Sequence, residues 1–186
     1  KKMEKLSKNT HLLYKIKKIF FPFYRSKNIQ RLFNILEKNE KKNRQVVMLV
    51  CGCVRKFLTD EKIDDIDIAT IFSPEEIKEK FKNTEFKIID TGIEYGSVTV
   101  IIKESKFEIT TLRKDIKTDG RHAEVLFTDD WQQDSERRDF TINAIYMDRR
   151  GKLYDPKNGR YDLKKGDVKF IGKPSLRIEE DYLRII

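Results

Sequence analysis

The chain has 186 residues, of which 38% are hydrophobic and 38% are charged, and its formal net charge is +9. This length favours one domain of ordinary size, with or without an appendage. No apolar run approaches the roughly 18 residues of a membrane span, and no small-residue cleavage site is present, so we expect neither a membrane protein nor a secreted one. The two cysteines, Cys51 and Cys53, are too few for a zinc site or a disulfide framework, which favours a cytoplasmic location.

The positive charge is concentrated near the N-terminus. Residues 1–45 hold 14 Lys and Arg against 3 Asp and Glu, whereas the remainder holds 26 against 28. Such a basic segment can attract the phosphates of a nucleic acid, or it can be a solvated tail, and both interpretations stay open. We assign residues 1–27 to a basic N-terminal extension.

The hydrophobic pattern and the turn residues predict short helices and strands. Ser73, Pro74 and the two acids after them are a strong helix start, because they combine a cap, a proline in the first turn and charges that suit the positive helix end. In chain order, the predicted elements are a helix at 28–39 with Asn28 as its N-cap, a strand at 46–50, a short helix at 54–58, a strand at 66–69, a helix from 73 to about 82, an antiparallel hairpin of strands at 98–102 and 107–111, a mobile polar loop at 114–130 with a short strand at 125–127, a helix at 131–139, a strand at 144–147, extended segments at 152–154 and 168–171 around a turn at 156–159, and a last helix from about Ser175.

Asp65, Ile66 and Asp67 form the most informative stretch of the chain. Side chains alternate between the two faces of a strand, so the two aspartates point the same way while Ile66 and Ile68 point into a core. Two parallel carboxylates repel each other unless a cation lies between them, and Mg²⁺ prefers such oxygen ligands. A solvated acidic strand edge is the alternative, since a single D-x-D motif carries a high false-positive risk.

Two further features could complete a nucleotide site. Glu108 lies between two apolar residues on a predicted strand, so it points outward, either toward the aspartates or simply into solvent. Three acids on adjacent strands can hold two metals that activate a 3′-hydroxyl and stabilise a leaving pyrophosphate. Gly52 follows a buried strand and opens a helix, an arrangement that suits a phosphate but also serves strand-to-helix geometry alone.

The segment RRDFTINAIYMD begins with Arg137 and Arg138. Adjacent arginines can bind a triphosphate, although they can also lie on a helix surface. Asn143 is a polar residue within an apolar run, so we expect it to be hydrogen-bonded, with the backbone as its partner.

Taken together, these runs resemble the head domain of the bacterial tRNA nucleotidyltransferase (CCA-adding) and poly(A) polymerase family. The matching runs, in order over about residues 45–186, are LVCGCVRKFL, DDIDIAT, TGIEYGSVTV, FEITTLRKD, RRDFTINAIYMD, the stretch 154–172 and RIEEDYLR. The resemblance implies an α+β fold, in which a polymerase-beta-like nucleotidyltransferase head at 28–174 has a small mixed sheet flanked by helices. It also implies that a neck helix starts within 175–186.

The resemblance further implies functional residues and partners. Asp65, Asp67 and Glu108 would be the catalytic, metal-binding acids, with Mg²⁺ as the cofactor. The implied nucleotide-binding residues are Gly52 and Arg55 in the triphosphate loop, Arg138, Asp139 and Asn143 in the segment that holds phosphates and ribose, and Asp181 and Arg184 in the neck. The implied partners are ATP, CTP and the 3′ end of a tRNA or another RNA, and the oligomeric state is left open.

Asp181 and Arg184 also have a chemical logic of their own. They are three residues apart and therefore share one helix face. A carboxylate accepts hydrogen bonds and a guanidinium donates them. Cytosine and adenine present an amino donor beside a ring acceptor, whereas uracil and guanine present the reverse order. Such a pair can therefore accept C and A and reject U and G, which is the template role that the resemblance implies.

The triphosphate loop departs from the family's usual G-G-x-V-R-D pattern. Cys51 replaces the first glycine and Lys56 replaces the aspartate. If the loop requires a positive φ at position 51, the cysteine costs about 1–2 kcal/mol and its side chain crowds an incoming phosphate. Lys56 either attracts phosphate or removes a structural salt bridge. Tyr95 and Ser97 stand where the family tends to have His and Thr.

The run TGIEYGSVTV is more similar to the corresponding motif of CCA-adding enzymes than to the basic stretch of poly(A) polymerases. We therefore predict transfer of CMP and AMP from CTP and ATP to a tRNA 3′ end. A poly(A) polymerase and a catalytically inactive remnant that binds nucleotide or RNA are the alternatives. Because family members continue through a neck, body and tail, we expect a fragment or a truncated form.

Overall fold

The computed structural model describes residues 22–119, 122–180 and 184. Its helices are α1 (Lys27–Leu36), α2 (Gly52–Leu58), α3 (Pro74–Phe81), α4 (Trp131–Glu136), α5 (Gly159–Lys165) and α6 (Pro174–Glu180), with short 3-10 turns at Phe23–Arg25, Ile93–Tyr95 and Thr141–Asn143. Its strands are β1 (Val47–Val50), β2 (Asp67–Thr70), β3 (Lys87–Gly92), β4 (Ser97–Ile102), β5 (Ser105–Thr111), β6 (Arg113–Asp119), β7 (His122–Phe127), β8 (Tyr146–Met147) and β9 (Leu153–Tyr154). No helix in these ranges has the length and apolar composition needed to cross a membrane.

Within the described residues, seven strands form one mixed sheet in the order β3-β4-β5-β2-β1-β8-β9. Strands β2 and β5 pair in parallel, and the other neighbours pair antiparallel. Strands β6 and β7 form a separate antiparallel hairpin. This mixed sheet with its helices confirms the predicted α+β fold.

Side-chain alternation along β1 divides the core between the two faces of the sheet. Val47 and Leu49 belong to a large hydrophobic cluster, whereas Met48 and Val50 belong to a smaller cluster that includes Tyr146. Helices α1 and α3 contribute the buried side chains Ile29, Leu32, Phe33, Leu36, Ile77 and Phe81 to the large cluster. Both faces of β1 are therefore buried, which explains its uninterrupted apolar sequence.

The segment predicted as a mobile loop at 114–130 is instead largely a hairpin, so that prediction is wrong. Strands β6 and β7 pair with a register that runs from Arg113 opposite Phe127 to Asp119 opposite His122. The predicted short strand at 125–127 is the end of β7. Because this ribbon is separate from the main sheet, it does not require the period-2 apolar pattern that identifies a half-buried strand.

Helix α5 and strand β3 are absent from the predicted elements. Helix α5 is only seven residues long and follows Asn158, which has a left-handed φ of 55°. The carboxylate of Asp155 caps it by accepting hydrogen bonds from the backbone of Gly159 (2.8 Å) and Arg160 (3.0 Å). Strand β3 lies at the edge of the sheet and is mostly exposed, so its sequence shows little alternation.

The N-terminal boundary differs from the prediction. Helix α1 begins at Lys27 with Ser26 as its N-cap residue, and Asn28 instead donates a side-chain hydrogen bond to Ser105 Oγ (2.9 Å). Phe23 and Tyr24 pack against the large hydrophobic cluster. Residues 22–27 of the predicted extension therefore pack with the head, and residues 1–21 lie outside the described residues.

Some other helix ends also shift. Helix α2 begins at Gly52, two residues before the predicted start, and α4 ends at Glu136 rather than 139. Helix α3 keeps its predicted bounds within one residue and has a complete capping box. The Ser73 hydroxyl accepts a hydrogen bond from the Glu76 backbone (3.2 Å), and Glu76 Oε2 accepts one from the Ser73 backbone (2.8 Å).

Replacing the cap residue tests this assignment. We expect Ser73→Ala to lower the free energy of unfolding by about 1 kcal/mol, because the backbone donor of Glu76 loses its acceptor. Urea titration followed by circular dichroism measures the change. The control Glu79→Ala, at an exposed position of the same helix, should change stability by less than about 0.5 kcal/mol; equal losses in both variants would contradict a capping role.

Candidate active site

The pairing of β2 with its two neighbours sets the geometry of the candidate site. Asp67 lies opposite Val50 in the antiparallel pair β1–β2 and opposite Glu108 in the parallel pair β2–β5. Residues that are directly opposite in neighbouring strands share a face of the sheet, so Asp67 and Glu108 lie side by side. Ile68 and Ile109, next to them in sequence, point into the large hydrophobic cluster, which agrees with the predicted alternation.

Negative charge accumulates around Asp67. Its side chain is half-buried, and burial raises the pKa of its carboxyl above the ordinary value, with further increases from Glu108 and Asp65. Arg138 and Arg55 act in the opposite direction and lower that pKa. The pKa shift of Asp67 therefore reports that all three predicted acids share one electrostatic environment.

The three acids fit a hard divalent cation by their chemistry, because carboxylate oxygens are the ligands that Mg²⁺ prefers. Their arrangement is open: in the described part of the chain, no three His, Cys, Asp or Glu side chains are close enough to hold a metal ion. Glu108 is exposed and accepts a hydrogen bond from Lys106 Nζ (2.9 Å), and Asp65 is also exposed. Glu108 would have to exchange Lys106 for the cation.

The loop before α2 has a positive φ at Cys51, which is the condition under which the cysteine is expected to cost stability. Cys51 has φ 58° and ψ −132°, a backbone conformation that residues other than glycine rarely adopt. Gly52 lies beside the carboxylates, since a Cβ built on it would be 3.8 Å from Asp67 Oδ2. The cysteine thus carries backbone strain at the position where the loop faces Asp67.

A buried ion cluster supports this loop from behind. The Asp134 carboxylate has no exposed surface and accepts hydrogen bonds from Arg137 Nε (2.8 Å), Arg138 Nη2 (2.8 Å) and the Tyr146 hydroxyl (2.7 Å). Arg138 also donates from Nη1 to Cys51 Sγ (2.7 Å). Although burial acts to raise the pKa of Asp134, the two guanidinium groups lower it to about 2.

A second hydrogen-bond network joins three of the predicted nucleotide-binding residues. Arg55 Nη1 donates to Asn143 Oδ1, and Asn143 Nδ2 donates to Asp139 Oδ1 (3.0 Å). Asp139 Oδ1 also accepts the backbone N–H of Phe140 (2.7 Å). The expected backbone partner of Asn143 is therefore wrong, because both of its side-chain groups bond to other side chains.

A family model described as the poly(A) polymerase head domain matches residues 47–169, about two thirds of the chain. The chain belongs to this family. The match covers β1 through the segment after α5 and includes the three acids, the Cys51–Gly52 loop and both hydrogen-bond networks.

Named relatives and solved structures agree with this membership. A Danio rerio protein named CCA tRNA nucleotidyltransferase 1, mitochondrial, is 41% identical over 181 residues, which is 95% of this chain and 42% of that protein. The crystal structure of the Bacillus stearothermophilus CCA-adding enzyme in complex with CTP has a TM-score of 0.71 at 32% identity, over 86% of this chain and 38% of the other. A tRNA nucleotidyltransferase complexed with a primer tRNA and an incoming ATP analog has a TM-score of 0.60 at 27% identity, over 75% and 39%. The chain thus spans about two fifths of these proteins.

Two further residues of α2, Lys56 and Cys53, have local partners. Lys56 pairs with Asp64 (3.3 Å), which also pairs with Lys62 (2.9 Å), so the reversed charge has an acidic partner in the segment that follows α2. Cys53 is buried and donates from Sγ to the Val50 carbonyl (3.1 Å), and burial raises the pKa of its thiol to about 12. Cys53 is accordingly a neutral packing residue.

The predicted base-reading pair is only partly described. Asp181 lies outside the described residues, so its relation to Arg184 stays a prediction. Arg184 Nη1 donates to the Arg177 carbonyl (2.6 Å). Arg177, on α6, donates in turn to the carbonyls of Ile171 (3.0 Å) and Glu136 (2.6 Å), which fixes the start of the predicted neck helix to the head.

Asp134 and Tyr146 are the site-supporting residues that sequence reasoning misses. Asp134 is three and four residues before Arg137 and Arg138 in a predicted helix, and this spacing is a recognised signal for an ion pair. Tyr146 gives no comparable signal, because its contact with Asp134 depends on how β8 packs against α4. The structure thus shows that the buried carboxylate of Asp134 binds both of the arginines that the sequence identifies as candidates.

The depressed pKa of Asp134 predicts an acid-dependent loss of stability. Its folded pKa of about 2 lies below the ordinary value of 3.8, so its contribution is present above about pH 4 and disappears as the pH falls through about 2. The contribution is about 2 kcal/mol. Urea unfolding at several pH values measures it.

The control for this titration is Asp134→Asn, which cannot ionise. It should be less stable near neutral pH by about 3 kcal/mol, because Arg138 keeps a buried charge without its partner. Its stability should also fall less steeply in acid. Parallel stability curves for the two proteins would show that Asp134 does not carry this titration.

The strain at Cys51 predicts an inverted order of stability. We expect Cys51→Gly to be more stable than Cys51→Ala by about 1–2 kcal/mol, because both variants lose the sulfur but only alanine keeps a Cβ at positive φ. At an ordinary position alanine is the more stable residue. Thermal and urea unfolding of the two variants give the comparison, and a more stable alanine variant would contradict strain at this position.

Proposed function

We propose that this chain is the head portion of an RNA nucleotidyltransferase that adds CMP and AMP from CTP and ATP to the 3′ end of tRNA. The observation that carries the proposal is the parallel register of Asp67 and Glu108, with Asp65 in the same electrostatic environment and the loop of Cys51 and Gly52 beside them. Similarity to proteins named as CCA-adding enzymes supports it. Because the chain spans about two fifths of those proteins, the substrates and the activity of the whole enzyme belong to the proposal.

Asp65, Asp67 and Glu108 are the proposed holders of Mg²⁺. When bound there, the cation supplies positive charge for an attacking 3′-hydroxyl and a leaving pyrophosphate. The raised pKa of Asp67 supports this role, since a site crowded with carboxylates gains from a positive charge. Lys106 forms an ion pair with Glu108 (2.9 Å), which the cation would replace.

The proposed triphosphate contacts are Gly52 and Arg55. Asn143 accepts a hydrogen bond from Arg55 and is itself held by Asp139, so the guanidinium has a defined position. Arg138 is mostly buried and bonded to Asp134, Tyr146 and Cys51. We therefore assign it a positioning role, as a fixed positive charge behind the loop.

Base selection is assigned to the neck. Asp181 and Arg184 would read the amino donor and ring acceptor shared by cytosine and adenine. The cytoplasmic location predicted from the sparse cysteines stays part of the proposal, although the Danio rerio relative has a mitochondrial name. Poly(A) addition differs from this activity by its use of ATP alone on a generic RNA.

The assignment of the acids predicts a large loss of activity in two variants. With Mg²⁺, CTP, ATP and a tRNA that lacks its 3′ CCA, we expect Asp65→Asn and Asp67→Asn to lower the rate of nucleotide incorporation by about a thousandfold, equivalent to about 4 kcal/mol. Denaturing gels resolve the extended tRNA. Asp64→Asn, which alters the neighbouring acid, should stay within about threefold of the unchanged chain.

Three outcomes would contradict parts of this proposal. Incorporation that survives both substitutions would remove the metal assignment. Long tails made from ATP alone on a generic RNA would favour a poly(A) polymerase. Nucleotide binding by calorimetry without any incorporation would favour an inactive remnant. In that third case, activity restored by Cys51→Gly would identify the strained loop as the defect.

A further inference from the structure

A groove lies beside the start of β1, whereas the three acids lie near the other end of that strand. It consists of two adjoining hollows of about 430 and 370 Å³, which share Gln45 and Asp148 as lining residues. We call this pair of hollows the edge groove. Each hollow falls within or near the usual range of about 300–1,000 Å³ for ligand sites. None of the residues assigned to nucleotidyl transfer lines it.

The larger hollow has an aromatic wall formed by Trp131 and Tyr154. Both rings pack on the buried Tyr146, with centroid distances of 5.5 and 5.9 Å. Trp131 Nε1 donates a hydrogen bond to the Gln45 carbonyl (3.2 Å), and Tyr154 is 38% exposed. The two rings are thus held in place while part of their surface stays open to the hollow.

The cations of the edge groove are largely uncommitted. Lys41, Lys42 and Arg150 line the smaller hollow, and Lys152 lines the larger one. All four are exposed, and none has a side-chain ion pair or hydrogen bond within the part of the chain that the structure describes. They form a positive surface beside the aromatic wall.

The acids of the edge groove are engaged by the protein itself. Three of them form ion pairs, namely Glu37 with Arg149 (2.8 Å), Glu40 with Lys80 (3.0 Å) and Asp129 with Arg44 (3.4 Å). Asp130 caps α4, and Asp148 accepts the backbone N–H groups of Arg150 and Lys152 (both 2.8 Å). The unpaired charge of the smaller hollow is therefore mainly positive, whereas the larger hollow keeps Asp130 and Asp148 beside Lys152.

We propose that the edge groove binds a short stretch of single-stranded RNA, with a base stacked on Trp131 or Tyr154 and flanking phosphates at Lys41, Lys42 and Arg150. Aromatic faces beside a positive groove bind single strands with little sequence preference, because every base has a stacking face. The groove is separate from the three acids, so binding there requires no nucleotidyl transfer. Only the choice of RNA over DNA rests on the proposed function.

The single tryptophan of the chain provides a direct probe. An unlabelled RNA of about eight nucleotides should quench the fluorescence of Trp131 in a saturable way, at low salt where phosphate contacts are strongest. The same quenching should persist in the Asp65→Asn, Asp67→Asn double variant. This result would support the edge groove even if nucleotidyl transfer failed. Equally strong quenching by a DNA of the same sequence would overturn the choice of RNA.

Matched variants test the two parts of the groove. Lys41→Glu with Lys42→Glu should weaken RNA binding at least about tenfold, whereas Lys82→Glu with Lys87→Glu, exposed positions outside the groove, should weaken it less than about twofold. Tyr154→Ala should weaken binding by about fivefold or more through lost stacking. All variants keep residues 1–21, so any contribution of that basic segment is constant, and circular dichroism verifies their folding.

Three results would overturn the proposal. The first is RNA binding, seen by anisotropy of a labelled RNA, without any change in Trp131 fluorescence. The second is an equal loss of binding in the two lysine pairs. The third is quenching by an arginine-rich peptide but not by RNA, which would mean that Asp129 and its neighbours dominate the groove and attract a cationic partner.

Discussion

The parallel pairing of β2 with β5 is the constraint on which the candidate site depends. The other pairs of the main sheet are antiparallel, and the chain passes through α3, β3 and β4 before it returns beside β2. This path places Glu108 next to Asp67, although the two are 41 positions apart in the sequence. Strand β1, antiparallel to β2, delivers the Cys51 loop to the same edge. The carboxylates and the Cys51 loop therefore meet because of the strand order.

Positively and negatively charged side chains lie close together at the same edge of the sheet. One buried carboxylate, Asp134, binds two guanidinium groups, so the cluster behind the loop keeps a net positive charge. Arg138 also acts on Asp67 and lowers its pKa, against the effects of burial and of the other acids. Removing either member of such a buried pair leaves an uncompensated charge, which is costly in a low-dielectric interior.

The sequence predicts local features of this protein better than the contacts between distant segments. The alternation of Asp67 and Ile68 and the capped helix start at Ser73 depend only on neighbouring residues, and both occur in the structure. The positive φ at Cys51 also occurs, but it is considered because the family has glycine at that position. The β6–β7 hairpin and α5 lack apolar periodicity, so the pattern predicts a loop for most of the hairpin and no element for most of α5. The aromatic wall of Trp131 and Tyr154 depends on packing around Tyr146, for which the sequence offers no spacing rule.

Arg177 links the predicted neck helix to the rest of the site. Its guanidinium bonds to the carbonyl of Ile171 and to that of Glu136, the last residue of α4. Five residues earlier, at the start of the same short helix, Trp131 lines the edge groove, and between them Asp134 holds Arg138 against the Cys51 loop. Helix α4 therefore contributes to three surfaces: the edge groove, the support of the Cys51 loop and the contact with the predicted neck helix. A displacement of α4 would therefore change the contacts at all three surfaces together.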